Sequence, residues 1–171
     1  MKRLALIVAT TSVLALAACK TSAPDDLPPT QVTTPPIDTP TPVATVAGPV
    51  AGSQEHFTRI MAGRDTIFFD TDMSNIDNDD ATALRAQAEY MLQYTASTAT
   101  VEGHADERGT RDYNLALGER RATAARNYLV SLGVPESRLH VVSQGEERPA
   151  VTASNEAAWA RNRRAVTVMV R

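Results

Sequence analysis

The stretch VEGHADERGTRDYNLALGERRA, which runs from Val101 to Ala122, decides the fold. Residues Ala99–Glu102 are predicted to form a strand that Gly103 ends. A loop rich in charged residues follows, and a long helix is predicted from about Asp112 to Leu132, where Gly133 ends it. This part of the chain therefore predicts a strand, a polar loop and a helix in succession.

Further strands and helices alternate on both sides of this stretch. The other predicted elements are a strand at Thr66–Phe69, a helix capped near Asp77, a strand at Leu139–Ser143, a helix at Glu156–Arg163 and a strand at Val166–Val170. The apolar face of the first helix carries Ala81, Leu84, Ala88, Met91 and Leu92, and that of the long helix carries Leu115, Ala122, Ala125, Leu129 and Leu132. Strands separated by helices predict an α/β (α+β) sandwich, with helices packed on a mixed sheet.

Opposite charges converge on the loop and on the helix that follows it. Asp106 lies in the loop, while Asn114 and Arg121 are seven residues apart and share one face of the helix. A carboxylate and a guanidinium that open onto one crevice suit a zwitterionic ligand, because the guanidinium binds a carboxylate bidentately and the Asp accepts an ammonium. Glycines at positions 103 and 109 would let a ligand approach the backbone. The alternative is that Asp106 and Arg121 pair with each other.

Several runs of the sequence resemble the OmpA-like peptidoglycan-binding domain family: Val101–Thr110, Tyr113–Ala122, Val142–Ala150 and Asn162–Val166. The resemblance implies an OmpA-C-like βαβαβ(α)β order of elements. It also implies non-covalent binding of the meso-diaminopimelate of peptidoglycan stem peptides, without a cofactor. Partnership with TolB and other Tol proteins, in envelope integrity and cell division, is implied as well. A wall-binding member of the same family without Tol partners is the alternative.

The resemblance also implies which residues bind the ligand. The acidic ligand residue of the family falls on Asp106 and the basic one on Arg121. The remaining implied contacts are Asn114 and Leu117 on the helix, Arg108 and Thr110 in the loop, and Phe69, Asp70 and Asp72 in the segment at the end of the first strand. The chain departs from the commoner family sequence at Met73–Asn75, and at Arg111, where the family often has proline.

The amino terminus predicts export and lipid attachment. Basic residues at positions 2 and 3 and an apolar run from Leu4 to Leu16 precede Cys19, the only cysteine of the chain. Residues Leu16–Cys19 resemble a bacterial lipobox, which implies a signal peptide over residues 1–18 and a lipid anchor on Cys19. Lys20 after the cysteine favours the outer membrane, by resemblance to the sorting rules of enteric bacteria. The alternative is an ordinary secretory signal that leaves a free thiol.

Composition separates a linker from a folded domain. Eight of the ten prolines lie between residues 20 and 52, without an apolar period, so residues 19–52 are predicted to be a lipidated and disordered Pro/Thr-rich tether. Residues 53–171 are the predicted OmpA-like domain. The formal net charge of the 171-residue chain is −3, which gives no reason to expect a nucleic acid as partner.

A cell-wall hydrolase is the rival class of protein. A zinc hydrolase needs three convergent protein ligands, but the three histidines, His56, His104 and His140, lie in separate parts of the sequence. Cys19 is assigned to lipid, and no serine lies in a Gly-x-Ser-x-Gly turn. The sequence therefore predicts a binding protein without metal or catalysis, in which His104 supports the loop by hydrogen bonding.

Overall fold

A computed structural model describes residues 48–170 of the chain. The helices are α1 (Gln54–Met61), α2 (Asn78–Gln93), α3 (Arg111–Ser131) and α4 (Glu156–Asn162), with a 3₁₀ turn at Glu136–Arg138. The strands are β1 (Thr66–Phe68), β2 (Thr98–His104), β3 (Leu139–Gly145) and β4 (Arg164–Val170). The predicted signal peptide, Cys19 and most of the predicted linker lie outside the described residues.

The four strands form one mixed sheet in the order β1-β4-β2-β3. Strands β2 and β3 are parallel, with Val101 opposite Val141, whereas β4 runs antiparallel to both β2 and β1. The predicted class, helices packed on a mixed α/β sheet, is confirmed. The parallel β2–β3 pair requires a crossover, and α3 supplies it, because this helix leaves the carboxyl end of β2 and contacts both strands.

Helices α2 and α3 bury their apolar faces against the sheet and against each other. The buried core includes Leu84, Ala88 and Met91 from α2, and Ala122, Ala125 and Leu129 from α3. The prediction for Leu92 is wrong, since its side chain is 45% exposed. The difference follows from helical geometry: Met91 already points to the core, and the residue after it is turned about 100° away from that direction.

A pair of glycines sets the distance between α3 and the sheet. A Cβ atom at Gly103 would lie 1.8 Å from the carbonyl oxygen of Gly118, and one at Gly118 would lie 2.7 Å from the carbonyl oxygen of Gly103. The sequence-based expectation that Gly103 opens the backbone to a ligand is therefore wrong, because the helix occupies that space. Strand β2 also continues past Gly103 to His104, with a register shift against β3 between these two residues.

Helix α1 was not predicted from the sequence. It has eight residues, Ser53 caps its amino terminus by accepting a hydrogen bond from the His56 amide, and its Phe57 and Met61 are buried in the core. So short a helix shows little periodicity, and packing of these two side chains stabilises it. Within residues 48–170, none of the helices has the length and apolar character needed to cross a membrane.

Candidate ligand-binding site

A cavity of about 310 Å³ lies where β2 ends and α3 begins. Its walls come from the loop after β1, the loop after β2 and the first turns of α3. The lining residues are Thr71, Asp72, Asp106, Arg108, Gly109, Tyr113, Asn114, Leu117 and Arg121. Six of the nine ligand-binding residues predicted from the sequence therefore border one cavity, and both signs of charge are represented there.

Asp106 is a buried carboxylate held by two arginines. Its Oδ1 accepts hydrogen bonds from the amide and the Nε of Arg108, each at 3.0 Å, and its Oδ2 accepts from Arg108 Nη2 at 2.7 Å and Arg163 Nη1 at 3.3 Å. Burial alone would raise the pKa of Asp106, but the hydrogen bonds from Arg108 and Arg163 outweigh it and hold the pKa below its usual value. The carboxylate is therefore charged at neutral pH.

Arg121 forms the floor of the cavity and has no exposed surface. Its Nε donates to the carbonyl of Met73 at 2.9 Å, its Nη1 to that of His104 at 2.8 Å and its Nη2 to that of Asp70 at 3.0 Å. These bonds use three of the five N–H groups and leave one on each terminal nitrogen. Burial, reinforced by the nearby Arg163, lowers the pKa of Arg121 to about 10, so the side chain keeps its charge at neutral pH.

The simple alternative, an ion pair between Asp106 and Arg121, is not what the structure shows. In the described part of the chain the Asp106 carboxylate pairs with Arg108 and Arg163, while the guanidinium of Arg121 binds main-chain carbonyls. Nor is Arg121 the open fork that the sequence predicts, because its side chain is buried and three of its N–H groups already donate to main-chain carbonyls. The two charges border the same cavity without neutralising each other.

Asn114 and Thr110 fix the shape of the loop after β2. Asn114 is 1% exposed, and its Nδ2 donates to the carbonyl of Arg108 at 3.1 Å and to the carboxylate of Glu146. Thr110 caps α3, since its hydroxyl accepts a hydrogen bond from the Tyr113 amide. Thr110 does not line the cavity, so the structure places it as a helix cap beside the site.

The loop after β1 forms part of the cavity wall through Thr71 and Asp72. Asp72 adopts the left-handed conformation, with φ of 58°, which is uncommon for residues other than glycine. Its Oδ1 accepts a hydrogen bond from the Tyr113 hydroxyl at 3.0 Å. The Asp72 carboxylate is thereby turned towards α3, and it is the second acidic group on the cavity wall.

Phe69 and Asp70 lie beside the cavity and do not line it. The Phe69 ring is buried under the guanidinium of Arg121, 5.3 Å from it, in a cation–π contact. The carbonyl oxygen of Asp70 accepts a hydrogen bond from Arg121, and Asp70 is otherwise exposed. Both residues therefore support Arg121, and neither presents a side chain to the cavity.

Three residues near the carboxyl terminus, which sequence reasoning missed, hold charged residues of the cavity wall in place. Arg163 is 6% exposed and donates from Nε to the carbonyl of Phe69 at 3.0 Å, besides its bond to Asp106. Glu156 accepts from Arg163 Nη2 at 2.9 Å, and the Trp159 ring lies under the guanidinium of Arg108. Arg163 stands in one of the runs that resemble the OmpA-like family, which was the signal available in the sequence.

His104 does not play the role expected of it. Neither ring nitrogen has a hydrogen-bond partner among the described residues, although the residue is 2% exposed. Burial, together with the positive charge of Arg164, lowers the pKa of His104 to about 4, so the imidazole is neutral at neutral pH. The Glu102 carboxylate lies 3.8 Å from His104 Nε2. Between residues 48 and 170, no three His, Cys, Asp or Glu side chains are grouped to hold a metal ion.

The fold is a mixed α/β domain with a cavity lined by charged residues of both signs. A model of the OmpA family matches residues 68–163. Peptidoglycan-associated lipoproteins are among the relatives. That of Mesorhizobium japonicum is 53% identical over 118 residues, covering 69% of this chain and 69% of the relative. That of Rhizobium meliloti is 52% identical over 118 residues, covering 69% of this chain and 66% of the relative. The chain therefore belongs to the OmpA family and, within it, to the peptidoglycan-associated lipoproteins.

Solved structures agree with this assignment. The crystal structure of the peptidoglycan-associated lipoprotein from Burkholderia pseudomallei superposes with a TM-score of 0.60 at 38% identity, covering 61% of this chain and 89% of that one. The C-terminal domain of Helicobacter pylori MotB gives a TM-score of 0.57 at 18% identity, covering 62% of this chain and 84% of that one. The second likeness concerns the fold alone.

Proposed function

We propose that this chain holds peptidoglycan without a covalent bond, by taking the zwitterionic end of meso-diaminopimelate into the cavity between α3 and the loop after β1. Asp106 accepts hydrogen bonds from the ammonium of the ligand, and the carboxylate of the ligand faces the positive charges of Arg108 and Arg121. A site of this kind binds and does not transform its ligand. Each contact is modest, and many copies that face one polymer act together through avidity.

The observation that carries this proposal is the separation of charge within one cavity. Asp106 is charged and belongs to the cavity wall, and Arg121 lies at its floor without a carboxylate partner among the described residues. A free amino-acid end matches both signs at once, whereas a purely cationic or purely anionic group would match one. The names of the relatives, which are called peptidoglycan-associated, support the same choice of polymer.

Replacement of Asp106 by Asn is expected to weaken co-sedimentation with diaminopimelate-containing sacculi by about tenfold or more. The amide keeps the size of the side chain but removes the charge that would bind an ammonium, and hydrogen bonds to charged groups contribute more than neutral ones. Sedimentation of purified protein over a range of sacculus concentrations measures the effect.

Asp70→Asn is the matched control, because the carboxylate of Asp70 lies outside the cavity and only its carbonyl supports Arg121. This variant is expected to sediment like the wild type. Thermal denaturation shows whether both variants are folded. If Asp106→Asn sediments as well as Asp70→Asn, Asp106 does not bind the ligand.

We also propose that Cys19 carries the lipid that anchors the chain in the outer membrane, facing the periplasm. The lipobox-like residues before Cys19 support this, and so does the word lipoprotein in the names of the relatives. Cys19→Ser is expected to move the protein from the membrane fraction to the soluble periplasm, because the substituted chain cannot be acylated. Fractionation of cells tests this, and continued recovery with membranes would contradict the anchor.

A further part of the proposal concerns partners. Resemblance to the OmpA-like lipoproteins supports association with TolB and other Tol proteins, with a role in envelope integrity and in drawing the outer membrane inward during cell division. Capture of TolB by the wild-type chain would support this part. Sacculus binding without TolB capture would favour the alternative, a wall-binding lipoprotein that acts without the Tol system.

A further inference from the structure

Helix α4 borders the site and holds one of its charged side chains in place. The guanidinium of Arg108 lies 4.3 Å from the centre of the Trp159 ring, and its Nη1 lies 3.7 Å from the Glu156 carboxylate. The indole is itself fixed, because Trp159 Nε1 donates to Glu107 Oε1 at 3.0 Å. An arginine on the cavity wall is therefore stacked on an aromatic ring and paired with an acid, both from another element of the fold.

The guanidinium of Arg108 is also hydrogen-bonded to Asp106, the carboxylate that would bind the ammonium of a ligand. Arg108 donates to both oxygens of Asp106, in the bidentate geometry that makes such pairs strong. A ligand ammonium must therefore compete with Arg108 for Asp106. The Arg108 side chain is 38% exposed, so it has room to move, whereas Arg163, which is 7% exposed, remains on Asp106.

We propose that Arg108 changes partners when the ligand binds, and that Trp159 and Glu156 are the positioning residues for this exchange. The ligand's ammonium replaces Arg108 on Asp106. Arg108 stays at the cavity because it remains stacked on Trp159 and paired with Glu156, and its freed N–H groups bind the ligand's carboxylate. This inference rests on the proposed function, and it extends the site to α4.

The exchange gives a physical reason for selecting a zwitterion. An ammonium alone would take Asp106 but leave the bidentate donors of Arg108 without an acceptor of equal strength. A carboxylate alone would have to compete with Asp106, which already holds Arg108 with two side-chain hydrogen bonds. Only a ligand with both charges restores a full set of charge-assisted bonds on each side of the exchange.

Trp159 is the only tryptophan of the chain, so its fluorescence reports directly on the stacked guanidinium. The wild-type protein is titrated with a disaccharide-tetrapeptide that contains meso-diaminopimelate, and binding is followed in parallel by calorimetry. We expect a saturable change in tryptophan emission with the same midpoint as the calorimetric curve. The corresponding lysine-containing muropeptide is expected to give no change. In Arg108→Gln, the emission change is expected to disappear.

Substitutions at position 159 separate positioning from folding. Trp159→Leu removes the aromatic face and is expected to weaken binding about threefold, the size of a partly exposed cation–π contact. Trp159→Phe keeps an aromatic face and is expected to restore most of that loss, while both variants lose the bond to Glu107. Calorimetry measures both affinities.

The outcomes distinguish the two proposals. Calorimetric binding with unchanged emission, an emission change that persists in Arg108→Gln, or wild-type affinity in Trp159→Leu would each overturn the exchange and leave the proposed function standing. No calorimetric binding of the diaminopimelate muropeptide by the wild type would overturn the proposed function itself.

Discussion

Arg121→Lys is expected to lower the free energy of unfolding by about 3 kcal/mol. The guanidinium of Arg121 joins three carbonyls, of which Asp70 and Met73 belong to the loop after β1 and His104 to the end of β2. Lysine keeps the charge, but its single nitrogen cannot reach three carbonyls in two segments, and each lost charge-assisted bond costs about 1.5–3 kcal/mol. Urea denaturation with linear extrapolation measures the change.

The same substitution is expected to remove detectable sedimentation with sacculi. The loop after β1 carries Asp72 and the segment after His104 carries Asp106, and both segments are fixed by Arg121. When that connection is lost, the two acidic groups no longer have a fixed separation, and the positive charge at the cavity floor moves. Sedimentation is measured at a temperature at which the variant is folded.

Arg138→Lys is the matched control. Arg138 also donates to three main-chain carbonyls, those of Met91, Tyr94 and Ser97, each with a bond of 2.8 Å, but it lies away from the cavity. We expect it to lower stability by a similar amount and to leave sedimentation unchanged. Equal sedimentation by the Arg121 and Arg138 variants would show that Arg121 only stabilises the fold.

Gly103→Ala is expected to cost about 3 kcal/mol or more of stability, a large fraction of the roughly 5–15 kcal/mol that stabilises a typical domain. The new Cβ would lie 1.8 Å from the carbonyl oxygen of Gly118, and its next neighbours are the Gly118 carbonyl carbon at 2.6 Å and the Ala122 Cβ at 3.1 Å. Two of these atoms are backbone, so no rotamer change relieves the overlap, and α3 must move away from β2. Urea denaturation measures the effect, and we expect the cooperative transition to be lost or to move to a much lower urea concentration.

Gly48→Ala serves as the control for Gly103→Ala. A Cβ at Gly48 would meet only the end of the flexible Arg59 side chain, at 3.9 Å. Its expected effect is within about 0.5 kcal/mol. If Gly103→Ala unfolds at the same urea concentration as Gly48→Ala, the close packing of α3 on β2 does not determine stability.

The sequence predicts much of this fold because its long elements are strongly patterned. Helix α3 has clear start and stop signals, and Ala122, Ala125 and Leu129 recur with helical spacing and are buried. Helix α1 gives no such signal, because it has a single turn of buried contacts, Phe57 and Met61. The close approach of Gly103 to Gly118 was also not predictable, since it depends on which helix face meets the sheet.

The candidate site was predictable in its residue types but not in its bonding. Arg120 and Arg121 are adjacent and have the same side chain, yet only Arg121 is buried. The three groups that Arg121 binds are main-chain carbonyls, which the sequence does not identify because every residue has one. The contribution of α4 depends on tertiary packing that brings Trp159 back to Arg108, fifty-one residues earlier in the chain. The spacing of residues in the sequence predicts contacts within one helix or between consecutive elements, but not a contact between residues so far apart in the chain.

Co-sedimentation of the wild-type protein with two kinds of sacculi tests the central claim most directly. Sacculi whose stem peptides carry meso-diaminopimelate offer a free amino-acid end, whereas those that carry lysine offer an ammonium without the adjacent carboxylate. We predict binding to the diaminopimelate sacculi that is about tenfold or more tighter, because only that end matches both the acidic and the basic side of the cavity. Equal binding to the two kinds of sacculi would contradict the account.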